Sequence, residues 1–112
     1  MRERDIQTKI IQWARKQKTI WIVKYPGGIF GTNGTPDLIL CVNGMFVGIE
    51  VKQTGEKLTE LQRIQQQKIR KSGGICERVE SLAEAVEICN RILDPVKVDK
   101  GVHFQTGQTC PI

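Results

Sequence analysis

An Asn43-Gly44 pair separates two apolar, β-prone runs, residues 38–42 (Leu-Ile-Leu-Cys-Val) and 45–51 (Met-Phe-Val-Gly-Ile-Glu-Val). This is the strongest short-range signal for a two-residue type I′ hairpin. The turn fixes the register, because Val42 must then pair with Met45. Counting back along both strands places Asp37 opposite Glu50. Directly opposed residues carry Cβ atoms roughly 4.5–5.5 Å apart on one face of a sheet. Lys52, two residues beyond Glu50, points to that same face. Two carboxylates and an ammonium should therefore meet at the open end of the hairpin.

Two carboxylates about 5 Å apart, at an effective dielectric near 20, repel by roughly 3 kcal/mol. A shared proton relieves this, and so does a divalent cation. Magnesium prefers hard oxygen ligands, typically one or two carboxylates completed by waters and phosphate oxygens. The plainer alternative is an Asp capping a strand start beside a Glu–Lys surface pair. That alternative gives no reason for Asp37 to sit opposite Glu50.

The rest of the 112-residue chain narrows the chemistry by exclusion. With 39% hydrophobic and 26% charged residues it reads as one ordinary globular domain, and its apolar runs are strand-length, too short for a membrane span. The N-terminus, Met-Arg-Glu-Arg-Asp, leads into an amphipathic helix rather than a signal-peptide core, which points to the cytoplasm. A net charge of +5 suits a polyanionic partner. Cys41, Cys76, Cys89 and Cys110 form no C-x-x-C pair, and His103 is the only histidine, so a structural zinc site has no clustered ligands. Ser–His or Cys–His nucleophilic catalysis has equally little to build on. Cys41, Cys76 and Cys89 fall in predicted strands or helices, where free cysteine usually acts as a small core residue.

Hydrophobic periodicity predicts a helix over residues 3–18, a strand over 19–25, the hairpin, a helix from Thr59 to about Lys71, a strand over 75–79 and a helix closing before Asp94-Pro95. The order is αβββαβα, a mixed central sheet flanked by helices. In the first helix Glu3 falls on the buried stripe with Ile6 and Ile10, whereas Asp5 faces solvent. Glu3 is thus a third acidic candidate, or simply a first-turn glutamate favoured by the helix dipole. Residues 26–36 form a loop with four glycines, Gly31 and Gly34 among them. It permits close backbone approach to a phosphate but lacks the Lys-Ser/Thr ending of a P-loop, and it equally reads as a connector. Thr59-x-x-Gln62 and Ser81-x-x-Glu84 fit capping boxes. Leu61, Ile64 and Ile69 are expected to face inward.

Glu3, then Gly31-x-x-Gly34-x-Pro36-Asp37, then Glu50-Val51-Lys52, then Gly55-Glu56-Lys57-Leu58-Thr59-x-x-Gln62, form a distinctive series. It resembles the VRR-NUC domain, the virus-type replication-repair nuclease branch of the PD-(D/E)xK superfamily. The resemblance spans residues 1–93 and leaves 94–112 as a C-terminal tail of unassigned role. It implies a restriction-endonuclease-like core and hydrolysis of DNA phosphodiester bonds with Mg²⁺ or Mn²⁺. Asp37 and Glu50 match the principal metal ligands, the Val51 carbonyl a backbone ligand, and Glu3 a helix-borne acid that completes the site directly or through water. Lys52 matches the residue that orients water and stabilises charge on the phosphate. Gln62 matches a glutamine near the site, in competition with its capping role.

Lys24, Lys57, Arg63, Lys68, Arg70 and Lys71 are the candidate DNA contacts, with Gly31 and Gly34, although each cation alone reads as a solvated surface charge. Small stand-alone members of the family look like homodimers acting on branched DNA such as four-way junctions, and a virus- or prophage-encoded chain fits the family's designation. Two other readings stand beside the endonuclease. One is a DNA-binding module of the same fold without catalysis, and the other is a PD-(D/E)xK enzyme of different specificity.

Overall fold

A computed structural model describes residues 2–26 and 33–94. Gly31, His103 and Cys110, and the tail after Asp94, lie outside the described residues. The elements follow the predicted order: α1 (Glu3–Arg15), β1 (Ile20–Lys24), β2 (Leu38–Val42), β3 (Met45–Val51), α2 (Glu60–Lys71), β4 (Ile75–Val79) and α3 (Leu82–Leu93). They build one four-stranded sheet in the order β1-β2-β3-β4. The first two pairings are antiparallel and β3–β4 is parallel, with α2 supplying the crossover that a parallel pair requires.

The hairpin has the register its turn dictates, from Val42 opposite Met45 to Leu38 opposite Ile49. Asn43 and Gly44 both take positive φ, 48° and 88°, as a type I′ turn demands. Helix α1 stops at Arg15 rather than reaching residue 18. The Gln17 side chain there donates back to the Trp13 carbonyl (3.1 Å), and the chain turns into β1.

α1 and α3 lie on one face of the sheet, over Leu38, Leu40, Val42, Val47 and Ile49. α2 packs against β4 and contributes no fully buried residue. Leu61 and Ile64, expected inside, are 50% and 38% exposed. The half-buried positions of α2 are instead Gln62, Gln65, Gln66 and Ile69, so the helix lies polar-side-in beside the site. Because α2 covers only one margin of the opposite face, Trp21 and Phe46 are left exposed there. Cys41, in register between them, is exposed too, contrary to the core role its strand suggested. Cys76 and Cys89 are buried as expected, and burial pushes both thiols up to about 11, which keeps them protonated and inert. No helix among the described residues is long and apolar enough to cross a membrane.

The Thr59 cap of α2 is a complete capping box. The Ser81 cap of α3 is half of one. Ser81 Oγ accepts from the Glu84 N–H (3.2 Å), but the Glu84 carboxylate reaches the Glu80 N–H (2.9 Å) rather than that of Ser81.

Candidate active site

Asp37 is held from both sides. Before it, buried Pro36 sits on Gly48, so close that a Cβ there would lie 2.8 Å from Pro36 Cγ. Its carbonyl accepts from the Tyr25 N–H (2.8 Å), extending the β1–β2 pairing by one step. Its Oδ2 accepts from the Val51 N–H at 3.0 Å. In an extended strand the N–H and C=O of one residue face the same neighbour, so the Val51 carbonyl lies on the Asp37 side.

Glu50, 4% exposed, faces Asp37 across the hairpin as the register requires, and the two carboxyl groups are within hydrogen-bond reach of one another. Burial foremost, then the negative charge of Asp37 and the hydrogen bond with it, push the Glu50 carboxyl up to about 8, against the opposing pull of Lys52. With no cation bound, the shift favours the protonated Glu50 carboxyl at neutral pH.

Gln62 serves two roles at once. Its Oε1 accepts from the Thr59 N–H (2.9 Å) while its backbone N–H donates to Thr59 Oγ1 (3.1 Å), which closes the capping box. Its Nε2 donates to Glu50 Oε1 at 3.0 Å. The cap and the contact with Glu50 use different atoms and do not compete. The same corner explains Gly34. Its φ is +86°, and a Cβ there would lie 2.4 Å from the Leu61 carbonyl oxygen and 2.8 Å from the Gln62 nitrogen. Gly34 thus lets the chain ahead of Asp37 press against the first turn of α2, a packing role the sequence reading did not assign. Gly34→Ala is expected to destabilise the fold by about 2 kcal/mol, through strain at positive φ and overpacking against backbone, as a urea titration would measure.

Glu3 is half-buried and Asp5 exposed, as the helix phase required. Asp5 pairs loosely with Arg2 at 3.9 Å. The partner of Glu3 is Glu56, which sequence reasoning missed. A hydrogen bond with Glu56 chiefly, then burial and the Glu56 charge, raise the Glu3 carboxyl. The same bond, with one from the Gln53 N–H (2.9 Å), lowers Glu56. The charge of Lys52, a residue 7% exposed, lowers Glu3, Glu50 and Glu56 alike, so all three carboxyl groups feel it. The only sequence signal for Glu56 was its place in the Gly55-Glu56-Lys57-Leu58-Thr59 run. Nothing local pointed to Arg78, which pairs in register with Glu50 and binds the turn after Lys52.

Among the described residues no three His, Cys, Asp or Glu side chains gather closely enough to hold a metal by themselves. The donors that do converge are Asp37 and Glu50 with the Val51 backbone, a hard-oxygen set that fits Mg²⁺ or Mn²⁺ bound with waters and phosphate oxygens. Glu3 is engaged with Glu56 rather than with this pair.

The candidate DNA contacts are all exposed: Lys24 at the end of β1, Lys57 before α2, and Arg63, Lys68, Arg70 and Lys71 along α2. Two are partly engaged. Arg63 forms a two-pronged pair with Glu60 (2.7 and 2.8 Å), and Arg70 Nε donates to the Cys76 carbonyl (3.1 Å).

Among solved structures, the fold is similar to a "VRR_NUC domain protein", with a TM-score of 0.69 and 20% identity over 88% of this chain and 91% of that one. It is also similar to a "VRR_NUC domain", with a TM-score of 0.61 and 21% identity over 77% of this chain and 91% of that one. No protein-family model matches the sequence, and no curated protein matches it. The chain has the VRR-NUC fold, with its central sheet flanked by helices.

Proposed function

We propose that this chain is a VRR-NUC nuclease, a Mg²⁺- or Mn²⁺-dependent endodeoxyribonuclease selective for branched DNA such as four-way junctions. The observation that carries the reading is the Asp37–Glu50 pair, its glutamate buried, held by the Val51 N–H and the Gln62 amide with Lys52 beside it, on a fold that solved VRR-NUC domains share. A protein without catalysis has no reason to keep two acids where each raises the cost of ionising the other.

Asp37, Glu50 and the Val51 carbonyl would hold the metal, which when bound lowers the pKa of a water and neutralises charge on the scissile phosphate. Gln62 keeps Glu50 oriented by donating to Oε1, leaving its other oxygen free to face Asp37. Lys52, already poised among carboxylates, orients the attacking water and meets the charge that develops on the phosphate oxygens. Glu3, with Glu56 beside it, borders the same space and can hold a water at its edge. Lys24, Lys57, Arg63, Lys68, Arg70 and Lys71 would bind backbone phosphates.

Branched DNA and a homodimer go together in this reading. A four-way junction offers two equivalent strands, and a two-fold dimer offers two sites related by matching symmetry. A chain with net charge +5 also doubles its basic surface on pairing. The test is a panel of labelled linear duplex, flap, single-stranded and four-way substrates with Mg²⁺, Mn²⁺ or excess EDTA, with solution mass from light scattering. The expected result is metal-dependent cutting, fastest on the junction, by a dimer. Full activity in excess EDTA would overturn the metal chemistry. A monomer that cuts linear duplex as fast as a junction would overturn the branched-DNA selectivity and leave the nuclease assignment standing.

A further inference from the structure

Arg78 stands in register with Glu50 on the neighbouring parallel strand, where a guanidinium could pair with that carboxylate and neutralise it. Its donors go elsewhere. Nε and Nη2 both donate to the Glu56 carbonyl (2.8 and 2.5 Å), Nη2 also reaches the Gln53 carbonyl (3.1 Å), and Nη1 pairs with Glu80 Oε2 at 2.5 Å. Glu80 grips the same turn from its donor side, accepting from the Thr54 side chain and the Gly55 N–H. One ion pair therefore holds the Gln53 and Glu56 carbonyls and reaches Thr54 and Gly55 of the same turn. That turn leaves the sheet directly after Lys52, whose own N–H is fixed to the Val79 carbonyl (2.9 Å), and it carries Glu56 to Glu3.

We propose that Arg78 and Glu80 form a positioning clamp, which holds the 53–56 turn so that Glu56 stays on Glu3 and Lys52 keeps its place among the site's carboxylates. Neither residue touches the reacting atoms. A planar guanidinium suits the task because its fixed fork binds two carbonyls and a carboxylate together, which an ammonium cannot reproduce. With its donors occupied, Arg78 also leaves the Asp37–Glu50 pair free for a cation. The effect on turnover rests on the nuclease reading, whereas the effect on the turn does not.

The experiment compares Arg78→Ala, Arg78→Lys and Glu80→Gln with the parent protein, each first confirmed as folded by its melting transition. Hydrogen exchange at the Glu56 amide, which bonds to the Gln53 carbonyl, reports the turn. Exchange there is expected to quicken about tenfold in Arg78→Ala, with cleavage after Glu56 by a glutamate-specific protease rising in step. Cleavage of DNA is expected to show kcat lowered about tenfold with KM within about twofold of the parent, a split that a merely structural role would not produce. Arg78→Lys should fall between the parent and Arg78→Ala, and Glu80→Gln should loosen the turn less than Arg78→Ala. Unchanged exchange in Arg78→Ala would overturn the clamp. A loosened turn with the parent's kcat would overturn its positioning role. A parent protein inert on every DNA would sink the nuclease reading instead, and the exchange data would still decide the clamp.

Discussion

Glu50→Gln is expected to abolish most DNA cleavage and at the same time to raise the melting temperature of the metal-free protein at pH 8. The two effects share a cause. The Glu50 carboxyl is raised from 4.5 to about 8 by burial and by Asp37, so in the metal-free state its ionised form opposes folding. Between those two pH values the folded protein binds more protons than the unfolded chain, and stability must fall as pH rises. The penalty is absent below about pH 4.5 and complete above about pH 8. A glutamine removes it without disturbing the site. Its carbonyl still accepts from Gln62 Nε2, and its new NH₂ can donate to Asp37.

The expected gain at pH 8 and above is on the order of 2 kcal/mol, after discounting for water that reaches the carboxylates. Melting curves from pH 4 to 9 in EDTA would measure it, with the parent sloping downward and the variant flat across that window. Addition of Mg²⁺ at pH 8 should stabilise the parent and leave Glu50→Gln unmoved, since a ligand stabilises only the state that binds it. Turnover should fall at least about 100-fold. A variant that melts no higher than the parent at pH 8 would mean that the acid pair is already relieved in the absence of metal. A variant that still binds Mg²⁺ as the parent does would remove Glu50 from the ligand set.

The legible part of this site follows from short-range geometry. Asn43-Gly44 fixes a register, and a register carries Asp37 to Glu50 with no tertiary knowledge. Glu3 and Asp5 separate by helix phase alone. What stayed hidden depends on which surface happens to lie opposite. Leu61 and Ile64 have the spacing of a buried stripe, but α2 meets β4 with its glutamines instead, and a one-dimensional pattern cannot say which face finds a partner. Cys41 alternates onto a face of the sheet that α2 leaves uncovered. Glu56 and Arg78 are ordinary polar residues in sequence, and their contacts join segments 53 and 22 residues apart. Gln62 is the instructive middle case. Its cap was visible locally, its bond to Glu50 was not, and only atom-level placement reveals that one side chain makes both.

Gln62→Glu separates those two roles. A glutamate at this position can still accept from the Thr59 N–H, so the capping box survives. It can no longer donate to Glu50, and it brings another carboxylate to within about 3 Å of Glu50 Oε1, in a carboxyl group that already faces Asp37. Repulsion at that distance is several kcal/mol even at an effective dielectric near 20, and a further bound proton is the relief open to the metal-free protein. The variant should therefore melt close to the parent at pH 5 and well below it at pH 8 in EDTA. With metal present its turnover should fall by about tenfold to 100-fold, since a misoriented Glu50 weakens both metal binding and phosphate placement. Thr59→Ala is the converse change. It removes the cap and leaves the Gln62–Glu50 bond possible, so it should cost about 1 kcal/mol of stability with turnover largely retained. If Gln62→Glu cuts DNA at the parent's rate and Thr59→Ala does not, the cap is the functional feature and the contact with Glu50 is incidental. The opposite pattern, with stability following Thr59 and turnover following Gln62, is the one that the two separate oxygen and nitrogen contacts of this side chain lead us to expect.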